Sequence, residues 1–184
     1  MGVIEGAALI GSSLPKCILL DANFLVAHAS AKTSSDDMAR IDHFLASVDK
    51  AKAKLIIPMP AVAEYLVGAD TAGVDMLNQL DRKACVVLAP FDRAAAFECA
   101  LIDRAALGAG DKKDGSSSPW QKIKIDRQIV ATGKAYGATL VISADVSLRA
   151  NALRVGMDAK TIQDLDLPDD ARQVKLELAP PKLK

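Results

Sequence analysis

The sequence is short of the residues on which sulfur, imidazole or purely electrostatic function usually rests. Its three cysteines, Cys17, Cys85 and Cys99, are odd in number, widely spaced and each set in an apolar run. That pattern excludes a disulfide framework or a cysteine zinc site and fits buried, reduced thiols. Two histidines, His28 and His43, allow no HExxH motif, and no serine or cysteine has a placed histidine beside it to make it a nucleophile. Neither sign of charge prevails, since 23 Lys and Arg balance 23 Asp and Glu. Broad electrostatic adhesion to nucleic acid is thereby excluded as the main mode of action, though a local basic rim around an acidic site is not. Aromatics are 4% of a chain that is 51% hydrophobic, so Ala, Leu, Ile and Val must fill the core. No apolar run reaches the roughly 20 residues needed to cross a bilayer. The opening MGVIEGAALIGSSLPK carries Glu5 where a signal peptide would have Lys or Arg, and its apolar run is short. A cytoplasmic protein with no membrane partner is expected.

The 184 residues give room for a single domain, with its core at about residues 16–168. Short apolar runs alternate with segments of helical period. KCILL (16–20), KLIIP (54–58), ACVVLAP (84–90) and TLVIS (139–143) read as strands, and a last short strand is expected within 159–168. Helices are expected just after Asp21, over SSDDMARIDHFLASVDKAKA, over 60–69, in AGVDMLNQLDRK, and over 92–107, 125–138 and 145–156. GAGDKKDGSSSPW has almost nothing apolar before Trp120 and reads as a loop insertion over 108–119. The 170–184 segment holds a candidate edge strand and a basic tail. Strands alternating with helices imply crossovers, hence a mainly parallel sheet covered on both faces. Ligands of such sheets bind outside the carboxyl ends of the strands.

Four acids stand where that rule matters. Asp21 and Asp145 each follow a strand, Glu64 lies about one turn into the helix after KLIIP, and Asp126 is expected to open the helix leading to TLVIS. Carboxylates crowded into one cleft repel one another unless a cation neutralises them. Hard oxygen ligands select Mg²⁺ or Mn²⁺, and such a site suits phosphodiester hydrolysis. Taken singly, Asp21, Asp126 and Asp145 read better as helix caps and Glu64 as a solvated helix residue, and Asp92, Asp103, Asp111, Asp158 and Asp164 meet similar loose criteria. The coincidence of the set is the signal.

LLDANFLVA, PMPAVAEYLVGA and IDRQIVATGKAYGATLVISAD together resemble PIN-domain nucleases, in particular the VapC-type toxin ribonucleases of bacterial toxin–antitoxin pairs. The family's four acids fall on Asp21, Glu64, Asp126 and Asp145, its final hydroxyl on Ser143, and the polar residue after its first acid on Asn23. The likeness spans residues 17 to about 165. It implies a PIN-like α/β/α sandwich with a central parallel sheet, divalent metal at the acids, endonucleolytic cleavage of RNA and pairing with a short antitoxin protein. A homo-oligomer is also expected. The 108–119 insertion and the tail depart from the compact family pattern.

Chemistry suggests roles within this set. Asp21 and Asp145 are first-choice metal ligands, Asp126 joins them directly or through water, and Glu64 holds a second ion or orients water. Asn23 and Ser143 would hold carboxylates or bound water in place. Lys16, Lys122, Lys124, Arg127 and Arg149 are candidate phosphate contacts. The 108–119 segment is expected as a mobile loop at the mouth of the cleft, with Lys112 and Lys113 adding positive potential. Trp120 either stacks on a base or anchors that loop. A haloacid-dehalogenase-like phosphatase needs a second Asp two residues after the first; Asn23 stands there, so that alternative fails. A non-cutting RNA- or protein-binding module and a DNA nuclease of related architecture remain as rivals.

Overall fold

The computed structural model describes residues 14–171. The candidate edge strand of the tail lies outside them beyond Ala171. Among the described residues five strands are formed: β1 (Cys17–Leu20), β2 (Lys54–Pro58), β3 (Val86–Ala89), β4 (Leu140–Ile142) and β5 (Asp158–Lys160). Seven helices connect and cover them: α1 (Ala22–Ala29), α2 (Ser35–Ala51), α3 (Met59–Gly68), α4 (Thr71–Asp81), α5 (Arg93–Gly108), α6 (Trp120–Ala135) and α7 (Val146–Arg154). The strands lie in the order β3-β2-β1-β4-β5, and every neighbouring pair is parallel.

The central strand is the most apolar. Ile18, Leu19 and Leu20 are fully buried, as are Leu55 and Ile57 of β2 and Val141 and Ile142 of β4. Continuous apolar runs of this kind suit strands covered on both faces. Leu19 pairs in register with Ile56 on one side and Val141 on the other. From β1 the chain winds outward through β2 to β3, then returns to the far side of β1 to lay down β4 and β5. The winding reverses between β1 and β4, so a crevice opens beyond their carboxyl ends.

α6 lies close over this reversal and packs against α3, α5, α7, β1 and β2. Gly133 sets the distance: a Cβ built there would come within 2.7 Å of Leu19 Cδ2. Only a residue without a side chain lets the helix backbone approach β1 so nearly.

The last strand starts one residue before the expected 159–168 segment, and a boundary at the site differs more. α6 begins at Trp120, after Pro119, so Asp126 stands in the second turn rather than opening the helix. The earlier turn is explained by Ile123, which is buried and continues the period of Asp126, Arg127 and Val130 toward the interior. Lys122 and Asp126 add an i,i+4 ion pair across the same turns.

Candidate active site

Asp21 ends β1 and begins α1. Its Oδ1 accepts from the Ala22 amide at 2.7 Å, and its own amide donates to Ile142 O of β4 at 3.3 Å. Its second oxygen, Oδ2, accepts from Asn23 Nδ2 at 2.6 Å and from Ser143 Oγ at 2.7 Å. Asn23 in turn accepts the Ala144 amide on Oδ1 at 2.9 Å, and Ser143 Oγ accepts the Asp145 amide at 3.0 Å. These bonds sew the end of β1 to the turn after β4. Arg149 closes the same turn by donating to Ser143 O at 2.7 Å.

Asp145 both caps a helix and faces the crevice. Its Oδ1 accepts from Ser147 and Leu148 amides at 2.7 and 3.1 Å, and its Oδ2 meets Lys122 Nζ at 2.5 Å. The same ammonium lies 3.1 and 3.2 Å from the two oxygens of Asp126. Asp126 is buried and lies inside its helix, so the helix-cap alternative does not apply to it. For Asp145 the cap and the crevice are compatible, because Oδ1 takes the cap and Oδ2 faces Lys122, whereas the second oxygen of Asp21 is held by Asn23 and Ser143.

Glu64 projects from α3, which packs on α6, and joins the group through charge. Partial burial of its carboxyl, followed by repulsion from Asp21 and Asp126, holds it above the usual value although the residue as a whole is exposed. Burial likewise raises Asp21, with Asp145 adding to the effect, and raises Asp126 despite the Lys122 ammonium beside it. Asp145 goes the other way. Burial pushes it up, but Lys122 and the α7 amides outweigh that and lower it. Lys122 is raised: burial pushes its ammonium down, and Asp145 and Asp126 more than compensate. The four acids thus form one mutually repelling electrostatic group at the carboxyl edge.

The donors are all hard oxygen, the chemistry a divalent Mg²⁺ or Mn²⁺ ion prefers, and two of the acids already close around a cation, the Lys122 ammonium. Among the described residues, no three acidic, histidine or cysteine side chains converge as a ready-made metal chelate. The donors are of the kind a divalent ion prefers, but the two that close on a cation, Asp126 and Asp145, close on lysine.

The candidate basic residues divide. Lys122 and Arg149 lie at the crevice. Lys16 precedes β1 and is therefore at the amino edge of the parallel sheet, where its carbonyl accepts from Lys54. Arg127 is turned fully inward, with 1% of its side chain exposed. It donates to Asp103 Oδ1 at 2.6 Å, Asp114 Oδ2 at 2.8 Å and Lys112 O at 2.7 Å. That makes it a tether for the insertion, not a phosphate contact. Lys124 is exposed on α6. His43 is exposed and His28 lines a separate cavity with Asp42 and Lys83, so neither histidine belongs to the edge.

The insertion stands at the mouth of the crevice: Ser116, Ser117 and Ser118 line a cleft with Lys122, Asp145 and Arg154. It is tied down more than its composition suggests. Asp111 accepts from Lys113 and Gly115 amides, Arg154 donates to Asp114 O, and Arg127 holds Asp114 from beneath. Trp120 is half-buried with Lys112 Nζ 5.2 Å and Arg127 Cζ 5.6 Å from its ring centre, the anchoring role.

No helix among the described residues is long and apolar enough to cross a membrane. No protein-family model and no curated protein sequence matches the chain. Among solved structures, the chain is similar to one in the crystal structure of VapBC2 from Rickettsia felis bound to a DNA fragment from their promoter. The TM-score is 0.54 at 14% identity, over 79% of this chain and 98% of that one. At that identity the likeness is one of architecture: the chain has a PIN-like α/β/α fold.

Proposed function

We propose that this protein is a divalent-metal-dependent endoribonuclease that hydrolyses RNA phosphodiester bonds at Asp21, Glu64, Asp126 and Asp145. The observation that carries it is that four acids from four separate elements interact electrostatically at the topological reversal of the sheet, two of them, Asp126 and Asp145, paired with the Lys122 ammonium. Asp21 and Asp145 would hold the ion most rigidly, since Asn23, Ser143 and the α1 and α7 amides fix their carboxylates. Asp126 would add its two oxygens from α6, and Glu64, exposed and on a longer stem, would orient the attacking water. A bound Mg²⁺ or Mn²⁺ ion would lower the pKa of that water and neutralise charge on the leaving oxygen. Ser116–Ser118 and Arg154 border the cleft through which a strand would reach Asp145.

A toxin role with a short antitoxin partner is part of the same proposal. It is supported by the fold shared with the VapBC2 complex. A groove lined by Val26, Ala29, Tyr65 and Gly68 beside Glu64 offers a protein partner apolar surface next to the acids.

Incubating the chain with labelled RNA and labelled DNA, in Mg²⁺, Mn²⁺ or EDTA, tests the activity. Internal cuts in RNA that vanish with EDTA are expected. Cuts in DNA alone would make it a DNA nuclease. Binding of RNA without cuts under every condition would make it a non-cutting module.

A further inference from the structure

We infer that Lys122 is a built-in counter-cation that closes the acid cleft, and that a divalent ion must displace it to occupy the site. The inference rests on the metal-dependent nuclease reading and adds a competition to it. Both oxygens of Asp126 are engaged by the Lys122 ammonium. Asp145 spends Oδ1 on the α7 amides, so its Oδ2 is the oxygen left to reach a metal, and that oxygen also lies on Lys122. Neither acid can offer its crevice-facing oxygen to an ion while the lysine stays. The lysine is well suited to leaving. It is a compact charge on a flexible four-carbon stem, its side chain is 42% exposed, and it borders the open cleft beside Ser116–Ser118. One turn of α6 fixes its competition with the metal, because Lys122 and Asp126 share a helical face at i,i+4. In the closed state the lysine offsets repulsion among the acids. In the open state its charge is released into the cleft that a phosphate strand would follow.

The test is calorimetric titration of the full chain with MnCl₂ alone, without nucleic acid, for wild type, Lys122→Met and Lys50→Met. Lys50 is exposed in the last turn of α2 and controls for loss of one positive charge. Lys122→Met should bind Mn²⁺ about tenfold or more tightly than wild type, since a cation is no longer displaced from the carboxylates, while Lys50→Met should match wild type. In EDTA the Lys122→Met chain should melt below wild type, and a given Mn²⁺ concentration should raise its melting point by more. If it fails to fold, Lys122→Gln, which keeps a hydrogen-bond donor between the acids, is titrated in its place. Mn²⁺ binding by wild type with no tightening in the variant overturns the lysine inference and leaves the nuclease reading standing. Absence of binding to every chain overturns both. Tightening in a protein that cuts neither RNA nor DNA supports the competition and removes the nuclease.

Discussion

The Ser143 hydroxyl donates to Asp21 Oδ2 at 2.7 Å across 122 residues of sequence. It is the shortest route by which β4 sets the orientation of the acid at the end of β1. Ser143 is 1% exposed, so removing it leaves a buried carboxylate oxygen with Asn23 as its remaining partner. Ser143→Ala should cost about 1–2 kcal/mol of stability. Loss of the orienting bond should also lower Mn²⁺ affinity and RNA cleavage by about 10-fold or more. Chemical denaturation and metal titration read the two effects separately. Unchanged metal affinity in a destabilised protein would reduce Ser143 to a packing role.

Asp21→Asn separates charge from shape. The amide can still offer an oxygen to the Ala22 amide, and its removal of a negative charge relieves repulsion from Asp145 and Glu64. Against that, its NH₂ would face the Asn23 NH₂, which cannot turn round without losing the Ala144 bond. The two effects oppose each other, and in EDTA the variant should melt within about 3 °C of wild type. Cleavage should be abolished. A variant that cuts RNA at the wild-type rate removes Asp21 from the catalytic set.

Much of this arrangement was legible in the sequence because it depends on patterns that chain order preserves. Apolar runs closed by Asp21 and Asp145 located strand ends, and parallel topology places strand ends on one edge. What was hidden was direction within a helix. Arg127 looks like any surface arginine beside an acid, and its inward turn depends on Asp103 of α5 and Asp114 of the insertion, which sequence does not align with it. The same holds for the start of α6: Gln121, Lys122 and Lys124 dilute the apolar signal of Ile123, so the sequence pattern becomes helical only near Ile125. With the helix expected from Ile125, Lys122 falls outside it, so its i,i+4 pairing with Asp126 is hidden as well, and the second acid, Asp145, arrives from beyond another strand. Lys16 lies away from the acids for a simpler reason. It sits at the beginning of a strand whose other end carries the acid.

The metal-free protein should be more stable at mildly acidic pH than at neutral pH. Asp21, Glu64 and Asp126 have folded-state values raised above the ordinary ones, so the folded chain binds protons that the unfolded chain releases. Stability from these groups therefore rises as pH falls through the raised values, and levels off below the ordinary ones of 3.8 for Asp and 4.5 for Glu. Asp145 is depressed, so its contribution is present above 3.8 and is lost only as pH falls through its lower folded value. Melting curves in EDTA should thus rise as pH falls through the raised values of these three acids, with saturating Mn²⁺ flattening the trend. A monotonic fall in stability from neutral pH downward would contradict the clustering.

Gly133→Ala weighs helix propensity against packing. Alanine favours an exposed helix interior by about 1 kcal/mol over glycine. Here the new methyl would meet Leu19, whose side chain is fully buried in the central strand, at 2.7 Å, and overpacking of that kind costs about 1–3 kcal/mol. Packing should win, with a net loss near 1 kcal/mol and a melting point about 2–4 °C lower. The shift in α6 should also weaken Mn²⁺ binding through Asp126. A stabilised variant would mean that α6 can slide off β1 without penalty.

Arg127→Met tests whether the insertion is built into the site or merely hangs from it. The arginine is enclosed, and its guanidinium satisfies Asp103, Asp114 and Lys112 O at once, while its Nε is buried without a partner. Methionine fills much of the same space and leaves no orphaned Nε. It does strand Asp114, which is 18% exposed, with only the longer 3.7 Å contact to Arg154. Breaking a fully buried pair costs about 3–5 kcal/mol. Asp103 is 39% exposed and can turn to water, so a loss of about 2–3 kcal/mol and 5–10 °C is expected here. The local effect should exceed the global one. Freed from Asp114 and Lys112 O, and with Trp120 losing one of its two cations, residues 109–118 should become sensitive to limited proteolysis under conditions where wild type is not cut there. If the segment also guides a strand to Asp145, RNA affinity should fall and its salt dependence should become shallower. Proteolytic sensitivity without any change in affinity or salt slope would show the insertion to be a tethered spacer and nothing more.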